Sequence, residues 1–309
     1  MRGDLADFIN SIRYEKGFSQ NTQGAYQTDL NQWLDFLEKE QIEKHDFEAE
    51  LVYAFLSYPE FRTGKTGELQ RRTQARKLSS LKAFYRFLEK KSRIEKNPLK
   101  TAKAARFKRS LPKPIKEQEM TRFLDADTVE LYADNPAYAA RDKALWEIMY
   151  SAGLRISEAL SLTAENFSTD TGIPTEIKIT GKGKKDRYVF LGASARAAIA
   201  EYLPYRLDIL YKNQRTDSAL FLNFKGTPLT RRGALYLIKK RAQKIGLNEN
   251  ISPHSLRHSF ATDLLNHGAD IRHVQEMLGH ESVSTTQNYT QVAKERLFAV
   301  YRKSHPHGS

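Results

Sequence analysis

Along the first hundred positions apolar residues recur at the three- and four-residue spacing of a single helix face. Leu5, Phe8, Ile9 and Ile12 form one stripe, and Tyr26, Leu30, Trp33, Leu34 and Leu37 a second that Thr22 is placed to cap. Leu51, Val52, Phe55 and Leu56 mark a third helix. Gly64 and Gly67 interrupt the pattern before a fourth, expected over Leu69–Glu89 with Leu78, Leu81, Tyr85 and Leu88 inward. Asn97-Pro98 stops the helices, and the basic run KTAKAARFKRSLPKPI over residues 100–115 reads as a linker. The expected organisation is a helical domain over 1–105, a linker over 106–115 and a second domain over 116–309.

The second domain mixes periods. Helices are expected at Lys116–Leu124 and Asp142–Ser151, the latter stopped by Gly153, with another opening at Arg155. Glu176–Ile179 and Arg187–Leu191 alternate as two strands around the glycine- and lysine-rich turn Gly181–Asp186. Two helices follow at Ser194–Leu210 and Thr230–Ile245. Ser252-Pro253 then supplies an N-cap and a proline at the first helical position. Gly268 ends that helix, and Gly279 can close the short Ile271–Leu278 helix in the left-handed conformation. Ala293–Lys303 reads as a terminal helix, with Leu297, Phe298 and Tyr301 apolar. The fold class is mainly α with a small β-hairpin, an all-α domain followed by a mixed α+β domain.

The 309 residues carry a formal charge of +13, which points to a polyanionic partner. The charge is unevenly spread. Residues 1–60 sum to −7, residues 61–113 to +15 and the remainder to +5. A solvated helix face usually interleaves signs, so the middle block is a candidate phosphate-contact surface. Arg71, Arg72, Arg76, Lys77 and Lys82 are expected on the outward face of the fourth helix, along nucleic acid. Arg231 and Arg232 are further basic candidates. The chain has no cysteine, which excludes a disulfide framework and fits a reducing cytoplasm. It has no apolar run of membrane-spanning length, and its N-terminus does not read as a signal peptide.

The chemistry concentrates between Ser252 and Tyr289. His254 and Arg257 lie three apart on one helix, His280 follows the helix-ending Gly279, and Tyr289 stands in a Ser/Thr/Gln-rich segment poor in apolar residues. Arginine grips two phosphate oxygens, histidine moves protons near neutral pH, and tyrosine attacks once its proton is removed. Together these are the parts for attack on a phosphodiester. The pair His254 and His258 also suggests zinc, but Arg257 between them opposes a cation, and neither an HExxH glutamate nor a cysteine is present. The two short helices around Gly268 equally suit a plain helix-turn-helix.

In order and spacing these elements resemble the tyrosine recombinases (the phage-integrase family), and within them the Xer-type chromosome-dimer resolvases. The resemblance rests on His254-Ser255-Leu256-Arg257-His258, Leu278-Gly279-His280 and the segment Ser284–Thr290 around Tyr289. Upstream it takes in Gly153-Leu154-Arg155-Ile156-Ser157-Glu158-Ala159-Leu160 and the hairpin lysine within Gly181-Lys182-Gly183-Lys184-Lys185. The first domain resembles the family's SAM-like core-binding domain. One departure is Ala159-Leu160, where leucine often follows the glutamate directly; another is a longer connection over Asn166–Thr175.

The resemblance implies Tyr289 as nucleophile, Arg155 and Arg257 as phosphate clamps, His254 as proton acceptor, His280 as a phosphate donor and Lys182 as general acid. Lys184 and Lys185 are expected on the DNA backbone. Arg155 can also simply pair with Glu158 one turn on. No cofactor and no metal are expected, because a phosphotyrosine keeps the bond energy. The implied partners are double-stranded DNA carrying a specific site and further copies or relatives of the chain, in a homo- or hetero-tetramer that exchanges its C-terminal helix. Packing of that helix on its own domain stays equally open. A DNA translocase is a candidate activator, and the expected location is the cytoplasm, at the nucleoid. An integrase of a mobile element, a type IB topoisomerase and a non-catalytic DNA-binding regulator are the rival readings.

Overall fold

The computed structural model describes residues 1–14, 18–42, 47–58, 71–102, 115–126, 132, 135–167, 172–181, 186–247, 251–279 and 291–308, with the side chains of 71, 72, 291 and 292 set aside. The chain divides into two compact units, Met1–Ser110 and Leu111–Ser309, each with its own apolar core.

The first unit contains α1 (Arg2–Tyr14), α2 (Gln20–Lys39), α3 (Leu51–Leu56) and α4 (Arg71–Lys90). The expected stripes meet at its centre, where Phe8, Trp33, Leu37, Phe55, Leu81 and Tyr85 are buried. The Trp33 indole N–H donates to the Tyr85 hydroxyl at 3.0 Å, so the largest core side chain buries no unmet donor. The cap of α2 is Ser19, not Thr22. Ser19 is extended and its hydroxyl accepts the Thr22 N–H, which makes Thr22 the third residue of the helix.

Helix α4 also differs from the expectation. Lys77 does not face outward: it is 3% exposed and packs against α2. Its Nζ donates to Gln32 Oε1, lies 3.6 Å from Asp29 Oδ1 and sits over the Phe55 ring. Burial pulls the Lys77 amine below its usual range. Arg76 is more exposed, yet it too donates to Asp29 and to the Ala25 carbonyl. Part of the basic block is therefore spent on the buried Asp29. Lys82 is half-buried, and Arg86 and Lys90, exposed at four-residue steps beyond it, continue a basic stripe that the sequence reading omitted.

The second unit is built on α6 (Pro136–Ser151), whose buried residues run from Ala139 to Ser151 apart from Lys143. It packs against α5 (Glu117–Asp125), α7 (Ile156–Leu160), α8 (Ala193–Lys212) and α10 (Pro253–Asn266). Helix α6 starts six residues before the expected Asp142, with Pro136 at its first position. The charged pair that disguised this turn is internal: Arg141 donates to Asp142 at 2.7 Å and to the Leu222 carbonyl at 3.1 Å, and Tyr132 donates to Asp142. Strands β1 (Glu176–Thr180) and β2 (Asp186–Phe190) pair antiparallel, with Ile179 opposite Arg187. Helix α9 (Arg231–Lys244) is capped by Thr230. Its Arg241 is buried and donates to the carbonyls of Phe123, Leu124 and Ala126, closing the C-terminal end of α5.

Helices α11 (Ile271–Leu278) and α12 (Gln291–Ser304) complete the unit. Of the two arrangements open to the terminal helix, this structure has it on its own unit. Leu297 and Tyr301 join the core, and the Tyr301 hydroxyl lies 2.6 Å from Ser151 Oγ. Among the described residues no helix is long and apolar enough to cross a membrane, and no cluster of His, Cys, Asp or Glu could hold a metal ion.

Candidate active site

Three arginines from separate chain segments of the second unit converge on one carboxylate, and a fourth segment holds two of them. Arg155 is extended at the start of α7, and its backbone N–H donates to Glu158 Oε2 at 2.8 Å, so Glu158 folds back to cap its own helix. The Arg155 Nη1 donates to Glu158 Oε1, also at 2.8 Å. From β2, Arg187 reaches the same carboxylate with both arms, Nη1 to Oε1 at 3.0 Å and Nη2 to Oε2 at 2.9 Å. From α10, Arg257 brings Nη1 to 3.7 Å from Oε2. The fourth segment is the end of α11, whose Met277 and Leu278 carbonyls accept from Arg187 Nε at 3.1 Å and Arg257 Nη2 at 2.5 Å.

Local sequence explains how the two clamp candidates are held. Gly153 ends α6 at φ +57°, and an added Cβ would stand 2.5 Å from the Phe260 ring of α10. Only glycine lets the two helices approach this closely. The approach turns the Gly153 carbonyl to Arg257 Nη1 at 2.6 Å. Ser252 caps α10 and Pro253 opens it, as the sequence predicts. His254 lies in the first turn and is exposed, whereas Arg257, one turn on, is 8% exposed.

Electrostatically the site is a cation cluster with one anion. Burial alone would raise the Glu158 carboxyl, but the Arg187 hydrogen bonds and charge, with the Arg155 N–H and guanidinium, hold it at about 2. It is ionised at any working pH. Burial pulls Arg257 down to about 10, with repulsion from Arg155 and Arg187 adding to it, which still leaves it charged at neutral pH. Three guanidiniums face one carboxylate, a surplus of two positive charges in a region where charge is poorly screened. An oxyanion would balance it. The Arg155 side chain, 33% exposed, offers the accessible fork.

The structure thus brings together Arg155 and Arg257, with His254 at the exposed start of the same helix. The pairing of Arg155 with Glu158 is present, alongside an exposed guanidinium. Lys182, Lys184, Lys185, His280 and Tyr289 lie outside the described residues, as do the side chains of Arg71 and Arg72 and residues 106–114 of the linker. Helix α11 ends at Gly279 in the left-handed conformation, φ +64° and ψ 51°, directly before His280 in sequence. Arg231 and Arg232 are exposed in the first turn of α9, which packs on α7. Cations there oppose the helix dipole, an arrangement that favours an anionic partner over fold stability.

Arg187 is the residue the sequence reading missed, having taken it only as the first residue of a strand. A signal was available: it occupies an inward position of β2, alternating with Tyr188 and sharing the buried side with Val189. A charge at a core register asks for a buried partner.

Residues 114–296 match the phage integrase family, and residues 5–92 match the phage integrase N-terminal SAM-like domain. The chain is 39% identical to tyrosine recombinase XerC of Leptospira interrogans, covering 97% of this chain and 92% of that protein. It is 40% identical to tyrosine recombinase XerC of Halalkalibacterium halodurans, covering 98% and 97%. Among solved structures it is similar to XerH site-specific recombinase bound to palindromic difH substrate in a post-cleavage complex. That likeness has a TM-score of 0.66 at 25% identity, over 96% of this chain and 83% of that one. The chain therefore belongs to the phage integrase family, as a tyrosine recombinase that cuts and rejoins double-stranded DNA at specific sites.

Proposed function

We propose that Tyr289 Oη attacks the scissile phosphorus, forming a 3′-phosphotyrosyl bond as the P–O5′ bond breaks. The tyrosine proton passes to His254, and Lys182 gives a proton to the departing 5′-oxygen. Arg155 and Arg257 hold the non-bridging oxygens, His280 adds a hydrogen bond, and the charge that builds up on the five-coordinate phosphorus falls among their donors. The 5′-hydroxyl of a partner strand reverses the step, passing through a Holliday junction. The bond energy stays in the phosphotyrosine, so the scheme needs neither ATP nor a metal ion.

The observation that carries this reading is the convergence of Arg155 and Arg257 on a carboxylate that cannot neutralise them, with His254 on the same helix as Arg257. In the biological setting we place the chain at a dif-like site, resolving chromosome dimers as a tetramer on two sites, with Lys184, Lys185, Arg231 and Arg232 on the DNA backbone. Exchange of α12 between protomers in that tetramer requires the helix to leave the seat on its own unit described above.

The test separates binding from chemistry. Arg257→Ala is expected to slow formation of the covalent protein–DNA adduct by about 10²- to 10³-fold while site binding, read by gel shift, stays near wild type. Equal loss of both would contradict the clamp role.

A further inference from the structure

We propose that Arg187 is a positioning residue for strand cleavage, a buried tie that holds the arginine pair, the hairpin strand and the turn before His280 in one arrangement. The inference rests on the phosphoryl-transfer reading above.

Arg187 has little left to offer a ligand. It is 4% exposed, and each guanidinium nitrogen already donates: Nε to the Met277 carbonyl, Nη1 and Nη2 to the two oxygens of Glu158. It has no accessible fork for a phosphate, which separates it from Arg155. Its three bonds instead join segments far apart in sequence, 29 residues to Glu158 and 90 to Met277. Two of them lock the carboxylate that receives Arg155. Another fixes the last turn of α11, next to the Leu278 carbonyl that accepts from Arg257.

The close contact at Gly279 is independent support. A Cβ there would lie 3.1 Å from Arg187 Cδ and 3.4 Å from Nε and Nη1, so the left-handed turn rests on the Arg187 side chain. The residue after that turn is His280. On the other side of Arg187, Asp186 opens β2 immediately after the segment that carries Lys182, Lys184 and Lys185. One guanidinium thus ties β2 to the Glu158 carboxylate and to the last turn of α11, and a bidentate pair fixes orientation as well as distance.

The experiment uses the full chain with a nicked duplex containing its site, and compares wild type, Arg187→Lys, Arg187→Met, Glu158→Gln and the double variant Arg187→Met/Glu158→Gln. Lysine keeps the charge and loses the two-armed geometry, so Arg187→Lys is the variant that tests positioning without leaving a buried carboxylate unpaired. The expected result is a first-order cleavage rate about 100-fold below wild type at saturating protein, with site affinity within about threefold. The double variant should lose less than the product of the two single losses, because both changes break the same tie. Losses that multiply, or a rate for Arg187→Lys equal to wild type, would overturn the proposal.

Amide hydrogen exchange provides a second arm that does not depend on activity. Protection in Arg187→Lys should fall in peptides covering 153–160 and 271–281 and hold across α6 and α8. A uniform fall through the second unit would make Arg187 merely structural and overturn the proposal. If wild type itself forms no adduct, the phosphoryl-transfer reading fails, and the exchange arm alone then decides whether Arg187 ties these segments.

Discussion

Glu158 shows how a single side chain couples stability to function. Its carboxyl is held at about 2 against an ordinary 4.5. A folded-state value below the unfolded one stabilises the fold above the unfolded pKa, and the contribution disappears as pH falls from 4.5 towards 2. For this buried group the shift corresponds to on the order of 3 kcal/mol. Glu158→Gln is therefore expected to lower the urea midpoint at pH 7, with the gap to wild type narrowing as the buffer falls from pH 4.5 to pH 3. A gap that stays constant across that range would contradict the assignment. At this scale the sequence pointed to candidate residues for the chemistry and showed little of what they touch. Arg155 and Glu158 were readable as partners because they are local, one turn apart. The Arg187 bonds to Glu158 and Met277, and those of Arg257 to Gly153 and Leu278, depend on contacts between distant segments, which periodicity does not encode.

The helices and the hairpin were mostly legible because each announces itself locally, through an apolar stripe, a capping serine or threonine, or a closing glycine. The failures share a cause. Lys77 and Arg141-Asp142 are charged residues buried beside their partners, and a reading that assigns charge to the surface puts Lys77 on the outward face of α4, although its apolar stripe is inward as expected, and starts α6 late. Lys77→Ala is accordingly expected to cost the first unit about 1–3 kcal/mol, leaving Asp29 short of a cation, without changing the salt dependence of DNA binding. Replacing both Arg231 and Arg232 by Ala should do the reverse. It should reduce the slope of log affinity against log salt by about 1.8, roughly 0.9 for each lost phosphate contact, with the melting temperature unchanged or raised. Identical slopes for the two variants would remove α9 from the DNA interface. Helix α12 carries a prediction of its own. A Cβ on Gly192 would fall 1.5 Å from the His307 carbonyl oxygen, so Gly192→Ala should displace residues 305–308 from their seat. The expected sign is rapid amide exchange at the C-terminus with the rest of the unit protected; unchanged protection there would contradict the seating.

For the molecule as a whole, two compact units are what the sequence led one to expect, and the two family matches fall one on each. The acidic first sixty residues and the basic stretch that follows divide the charge by region, so the net +13 understates the field that a DNA backbone would meet. The catalytic proposal makes a single demand of the complete chain: a covalent bond between Tyr289 and DNA. Wild type and Tyr289→Phe would each be incubated with nicked duplex carrying the recombination site, denatured in detergent and resolved for protein–DNA adduct. The account predicts an adduct with wild type alone, attached through a 3′-phosphate and leaving a free 5′-hydroxyl. An adduct formed equally by Tyr289→Phe, or one attached through a 5′-phosphate, would contradict it.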